Sequence, residues 1–268
     1  MNSAPQSPPV TIKTLLKMKQ RSRRITMLTA YDFTLATLLD EAGVDMLLVG
    51  DSLGMVVQGR ATTIPVTLRD MIYHGELVAR AAKRAMVVVD LPFPHGQLGV
   101  RKTLQAAARV LKRTACQAVK LEGGAEQEET IAALVAAGIP VIAHVGLRPQ
   151  SVHALGGYRV QRDAERLRRD ALAAQSAGAF CVLMECVPRE LAKRITAELT
   201  VPTIGIGAGA DCDGQVLVTN DLLGLTLGRV PKFVRPTADL GTHIRQAVQQ
   251  YSSSVREGSF PSDQESFE

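Results

Sequence analysis

At 268 residues, 46% hydrophobic and 21% charged, the chain is long enough for one large α/β domain or two small ones, with ample apolar material for a core. It has no Trp and only 4% aromatics, so that core must be aliphatic. The net charge of +5 is spread over Lys13, Lys17, Lys19, Arg21, Arg23, Arg24 and the segment 162–169. Such dispersed charge reads as solvated faces rather than a nucleic-acid stripe, so no nucleic-acid partner is expected.

The four cysteines (Cys116, Cys181, Cys186 and Cys212) have no CxxC spacing, and three lie in or beside apolar runs. Buried free thiols in a reducing cytoplasm are the expectation. No apolar stretch approaches the roughly 20 residues of a membrane span. Residues 1–10 are polar and Pro-rich without a hydrophobic signal core and read as a disordered tail, as do residues 258–268.

Residues 11–20 carry helix-like apolar spacing (Ile12, Leu15, Leu16) and could close one end of a barrel. A short strand over 25–30 follows, then Asp32 as cap of a helix that stops at Gly43. Residues 44–50 form an apolar run of strand length, ended by Gly50 and then Asp51-Ser52. A helix capped near Thr67 leads to a strand over 86–89 that ends in Asp90. The pattern repeats: a helix over 100–114 and a strand ending in Glu122; a helix to Gly138 and a strand ending in His144; a helix to Gly178 and a strand ending in Glu185. A helix from Pro188 leads to a strand near 202–207, a weak strand is expected near 225–230, and a last helix covers about 237–256. Eight strand-then-helix units predict a closed (β/α)8 barrel over residues 11–257, with an open doubly wound sheet as the runner-up.

Residues just past the carboxyl ends of barrel strands converge on one face. In order these are Asp51 and Ser52, Asp90, Lys120 with Glu122, His144, and Glu185. Charged or metal-competent side chains at five successive strand ends are hard to assign to stability. Three acids with little His or Cys nearby match a hard cation with oxygen ligands, such as Mg²⁺. Lys120 suits an anionic substrate or a neighbouring acid, and His144 suits a ligand or a structural histidine. Glu185 ends an apolar strand whose surroundings would raise its pKa towards that of a general base, though it could also pair with Lys120 or an Arg. Asp51-Ser52 also suits a simple turn cap. The glycines of Gly205-Ile206-Gly207-Ala208-Gly209 lack the dinucleotide-loop context and are explained as well by close packing as by phosphate binding.

The ordered segments 49–55, 90–93, 119–124, 144–150, 185–188 and 204–209 closely resemble the ketopantoate hydroxymethyltransferase (3-methyl-2-oxobutanoate hydroxymethyltransferase) family, over about residues 11–261. The resemblance implies a barrel of the phosphoenolpyruvate-mutase-like superfamily, Mg²⁺ dependence and a homo-oligomer, usually a decamer. It also implies the first committed step of pantothenate synthesis, in which 5,10-methylenetetrahydrofolate donates a one-carbon unit to 3-methyl-2-oxobutanoate. By position, Asp51 and Asp90 would hold Mg²⁺ with Glu122 as the third acid. Ser52, Lys120 and His144 would contact the keto acid along with the metal-holding aspartates, and Glu185 would accept the proton. The chain departs from the family pattern at Pro94-His95-Gly96-Gln97-Leu98, where many members carry a small polar residue and a Tyr. A C–C lyase of the same superfamily is the alternative, but the Cys-bearing loop common in those lyases is not found here.

Overall fold

The computed structural model describes residues 8–154 and 156–267. The tail expected over 1–10 thus lies outside the described residues up to residue 7. Val10 is not free: its N–H donates to Arg84 O at 2.8 Å and its side chain is buried.

Chain order runs α1 (Ile12–Gln20), β1 (Ile25–Thr29), α2 (Phe33–Glu41), β2 (Met46–Val49), the one-turn α3 (Leu53–Val56), α4 (Leu68–Ala81) and β3 (Met86–Asp90). It continues with α5 (Val100–Thr114), β4 (Ala118–Glu122), α6 (Glu128–Ala136), β5 (Val141–Gly146), α7 (Ala164–Ser176) and β6 (Cys181–Glu185). Last come α8 (Arg189–Glu198), β7 (Thr203–Ile206), β8 (Gly214–Leu217), α9 (Thr219–Leu222) and α10 (Leu240–Arg256). The eight strands are parallel and close on themselves in sequence order, β8 pairing with β1.

Local chemistry explains the helix starts. Thr11 and Thr14 form a capping box on α1, Thr67 and Asp70 form one on α4, and Asp32 accepts from Leu35 N–H at the start of α2. Helix α5 buries Thr103, Ala106, Ala107, Val110 and Thr114, the spacing of a single stripe. Such stripes pack on the outward residues of the strands (Leu47, Val49, Val87, Val89, Val119, Leu121) to make the shell between sheet and helices.

The inward residues make a second core. Ile25 and Met27, Met46 and Leu48, Met86 and Val88, Ala118, Ile142, Cys181 and Leu183, Ile204 and Val216 fill the barrel with Leu15 and Met18 of α1. The amino-terminal helix therefore packs against the barrel interior, as its spacing suggests. Successive strand residues point to opposite faces, so the next inward positions after Val88, Ala118, Ile142 and Leu183 are Asp90, Lys120 and Glu122, His144, and Glu185.

One element differs from expectation. Residues 225–230 are not a strand; β8 is Gly214–Leu217. It is four residues long with Gln215 exposed, and Gly214 lies so near β1 that a Cβ there would stand 2.4 Å from Ile25 O. Close approach to β1 selects glycine over a bulky apolar residue, which erases the sequence signal.

The chain divides into two compact units, one ending at Val218 and one spanning Thr219–Glu268. All eight strands belong to the first. In the second, Leu225 N–H donates to Asn220 O and Leu240 N–H to Leu223 O, and α10 has no buried residue. Among the described residues, no helix is long and apolar enough to cross a membrane.

Candidate active site

The residues singled out at the strand ends form one cluster, with Ser52 at its side bonded to Tyr31 instead. Lys120 Nζ stands 3.0 Å from Asp90 Oδ1 and 3.0 Å from His144 Nδ1. On the other side of the ring, His144 Nε2 is 3.3 Å from Glu185 Oε2 without forming a hydrogen bond. Asp90 Oδ2 accepts from Asp51 N–H at 3.1 Å, tying the ends of β2 and β3 together. Ser52 Oγ pairs with Tyr31 OH at 2.8 Å. Gly50 leaves room for Ser52, because a Cβ there would meet Ser52 Oγ at 2.8 Å.

Two further residues that touch this cluster went unassigned in the sequence. Gln150, in the 3-10 turn Pro149–Ser151 after β5, is buried and donates from Nε2 to Asp51 Oδ2 at 2.8 Å and to Leu91 O at 3.0 Å. Its backbone N–H faces the Glu122 carboxylate, at 3.2 Å from Oε2. Tyr31 follows β1 just as Asp51 follows β2, so its place past a strand end was the signal that could have found it. Gln150 had no such signal, because five residues separate it from His144.

Burial sets the electrostatics. Asp51, Asp90, Lys120, Glu122 and His144 are all buried, and the Glu185 side chain is 17% exposed. Burial raises the Asp51 carboxyl and pushes Glu122 well above the carboxylate range, with the charge of Asp51 adding to the rise at Glu122. Asp90 rises to about 7 through burial, opposed by Lys120. Glu185 rises to about 7, again through burial with Lys120 opposing. Burial alone would lower the Lys120 ammonium, but the charges of Asp90, Asp51 and Glu122 outweigh it and hold the group charged. His144 is driven well below its usual value by burial and by Lys120, so the ring is neutral and its contacts with Glu122 and Glu185 are not ion pairs. Lys120, all donors, faces Nδ1, which assigns the ring proton to Nε2 on the Glu185 side.

Four buried or nearly buried carboxyls thus face a single ammonium. Among the described residues no three His, Cys, Asp or Glu side chains stand drawn together as a finished metal cage. The donor chemistry nevertheless fits a hard divalent cation: oxygen ligands only, in excess negative charge that burial otherwise forces to hold protons.

Elsewhere among the sequence candidates, packing explains the glycines. A Cβ at Gly205 would meet Cys212 Sγ at 2.8 Å and one at Gly209 would meet Arg189 Cγ at 2.7 Å. All four cysteines are free thiols, with only Cys186 partly exposed.

A closed parallel eight-stranded barrel with acids converging at its carboxyl-terminal mouth defines a (β/α)8-barrel protein of the class that places its active site at that mouth. Its fold resembles that of 2,3-dimethylmalate lyase (TM-score 0.60, 19% identity, covering 96% of this chain and 91% of that one). It likewise resembles phosphonopyruvate hydrolase in complex with oxalate and Mg²⁺ (TM-score 0.61, 14% identity, 95% and 92% covered). Within that class the family model for ketopantoate hydroxymethyltransferase matches residues 9–263, and the chain belongs to that family. It is 64% identical over 259 residues to the 3-methyl-2-oxobutanoate hydroxymethyltransferase of Rhodopirellula baltica, covering 97% of this chain and 96% of the relative. The enzyme of that name from Desulforapulum autotrophicum is 55% identical over 260 residues, with 97% and 99% covered.

Proposed function

We propose that this enzyme transfers a hydroxymethyl group from 5,10-methylenetetrahydrofolate to 3-methyl-2-oxobutanoate, giving 2-dehydropantoate at the first committed step of pantothenate synthesis. The observation that carries the reading is Glu185: a carboxyl raised to about 7, at the open edge of an otherwise buried acid cluster. A base poised there is half-deprotonated near neutrality, where proton abstraction is most efficient.

Asp51 and Asp90, with Glu122 behind them, would hold Mg²⁺. When bound, the ion would act as a Lewis acid on the 2-oxo acid. Lys120, fixed by Asp90 and His144, supplies positive charge for the substrate carboxylate. His144 presents its Nε2–H beside Glu185, where it can donate to substrate oxygen while remaining neutral. Ser52, oriented by Tyr31, offers a further hydroxyl. Water adds to the donor's methylene carbon and its two carbon–nitrogen bonds break, releasing tetrahydrofolate with both water protons on nitrogen and leaving the one-carbon unit at the aldehyde level with the water's oxygen. Glu185 takes the C3 proton, the C–H electron pair moves into the enolate, C3 attacks the aldehyde carbon, and the resulting alkoxide takes back the proton from Glu185.

The free cysteines support a reducing, cytoplasmic setting. The exposed stripe of Ile244, Val248, Tyr251 and Val255 on α10 supports assembly as a homo-oligomer.

Deuterium exchange at C3 of 3-methyl-2-oxobutanoate, followed by NMR without folate, tests the chemistry. Exchange is expected with Mg²⁺ and is expected to stop with EDTA. Wild-type enzyme that shows no exchange even when tetrahydrofolate is added would sink the reading.

A further inference from the structure

The contacts of Gln150 go beyond filling space. Its carboxamide has two donor hydrogens, and both are spent: one on Asp51 Oδ2 and one on Leu91 O. Its backbone N–H lies between the two oxygens of Glu122, at 3.4 and 3.2 Å. One buried residue on the β5 side therefore grips an acid from the end of β2 and an acid from β4. Its remaining atom, Oε1, accepts from Gln97 Nε2 at 3.3 Å. Leu91 O and Asp51 Oδ2 select the amide orientation, because a flipped amide would aim its oxygen at these two acceptors, and Oε1 is thereby turned to Gln97.

Gln97 belongs to the segment 94–98 that departs from the family pattern. The segment is held in place by its own bonds: His95 N–H to Pro92 O at 2.8 Å, Gln97 N–H to Pro94 O at 2.7 Å, and Thr103 Oγ1 to His95 O at 2.7 Å. Gly96 packs so tightly on Leu121 that a Cβ would stand 2.5 Å from its Cδ1. The loop therefore delivers the Gln97 side chain from an exposed position to a buried partner.

We infer that Gln150, oriented by Gln97, is a positioning residue that holds Asp51 and Glu122 in their cation-binding arrangement. The inference rests on the proposed role of these acids in holding Mg²⁺. Outer partners that orient metal-binding carboxylates typically govern metal affinity by about 10- to 100-fold.

The test is calorimetric titration of MgCl₂ into metal-free enzyme with saturating 3-methyl-2-oxobutanoate, alongside circular dichroism. Gln150→Met keeps the side-chain length and removes every side-chain polar contact, leaving the backbone N–H on Glu122; its Mg²⁺ Kd is expected to rise by about 10- to 100-fold with an unchanged spectrum. Gln97→Ala, at an exposed position, should raise Kd by a smaller factor. In the double variant the Gln97 substitution should add nothing, since its effect passes through Gln150. Gln150→Met with a Kd within about twofold of wild type, or additive losses in the double variant, would overturn the inference. If Gln150→Met does not fold, Gln97→Ala decides, and an unchanged Kd there overturns it equally. Wild-type enzyme that binds no Mg²⁺ would instead overturn the proposed function, and this inference with it.

Discussion

Replacing Glu185 with Gln should do two opposite things, and their separation is diagnostic. The native carboxyl titrates at about 7 rather than its ordinary 4.5. The fold therefore prefers the protonated form: below pH 4.5 this costs nothing, and as pH rises towards 7 the unfolded chain gains by losing a proton that the native state retains. Stability is lost across that window, and above it the full penalty amounts to about 3 kcal/mol. Glutamine carries no such penalty. Glu185→Gln should therefore match wild type near pH 4.5, apart from a constant offset, and become progressively more stable than wild type up to pH 8. For a chain of this size the gain corresponds to a melting-temperature difference on the order of 5–10 °C, read by scanning calorimetry in EDTA. Over the same interval the variant should lose C3 deuterium exchange by about 10²- to 10⁴-fold. A melting-temperature difference that stays flat from pH 4.5 to 8 would show that Glu185 is not held near 7 and would remove the physical basis for calling it the base.

Three further outcomes are expected. Wild-type exchange should rise with pH and level off above about 7, as the Glu185 carboxyl deprotonates; a rate independent of pH between 5 and 8 would contradict the assignment. Lys120→Met leaves the buried acids without their ammonium and should lower stability by about 3–5 kcal/mol at pH 8, with a smaller loss at pH 5 where the acids can take up protons. Denaturant titration at the two pH values checks it, and equal losses at both would argue against the charge cluster. Gly146 has φ +96°, and a Cβ there would stand 2.3 Å from Glu185 O, so Gly146→Ala should displace the end of β6 and reduce C3 exchange at least about tenfold. Exchange at the wild-type rate in a folded Gly146→Ala would refute that link.

Most of the barrel was legible because parallel strands buried on both faces write themselves as continuous apolar runs, as at Met46–Val49 and Met86–Asp90. Gly stops and Thr or Asp caps marked the helices between them. The strand that escaped, Gly214–Leu217, is the one where close approach to β1 put glycine in place of an apolar residue. The acids and bases of the site were legible for a related reason: each interrupts an apolar run at its carboxyl end. What the sequence withheld was the pairing among them. Nothing in the spacing says that Lys120 bridges Asp90 and His144, or that Gln150 reaches Asp51, 99 residues away. Those contacts depend on strand order around a closed sheet, which brings distant segments together only once the barrel exists.

The same inward register that builds the lower core also limits where chemistry can be placed. On β3 the inward residues run Met86, Val88, Asp90, and on β6 they run Cys181, Leu183, Glu185; each passes from apolar to ionisable within one step of two residues. Moving the carboxylates one layer down would bury them among Leu48, Val88 and Ile142, far from any cation or water, at a desolvation cost the fold could not offset. Moving them up, beyond the strand ends, would leave them on loops with ordinary pKa values and looser geometry. The strand terminus is the one level at which a side chain is fixed by the sheet and largely deprived of water, yet lies beside the open edge at Glu185. To test this, Leu15→Ala at the opposite end should cost about 2–5 kcal/mol through the cavity it leaves beneath the barrel core, while C3 exchange well below the melting temperature stays at the wild-type rate. Loss of exchange in parallel with loss of stability would mean that the apolar layers do not insulate the site from the base of the barrel.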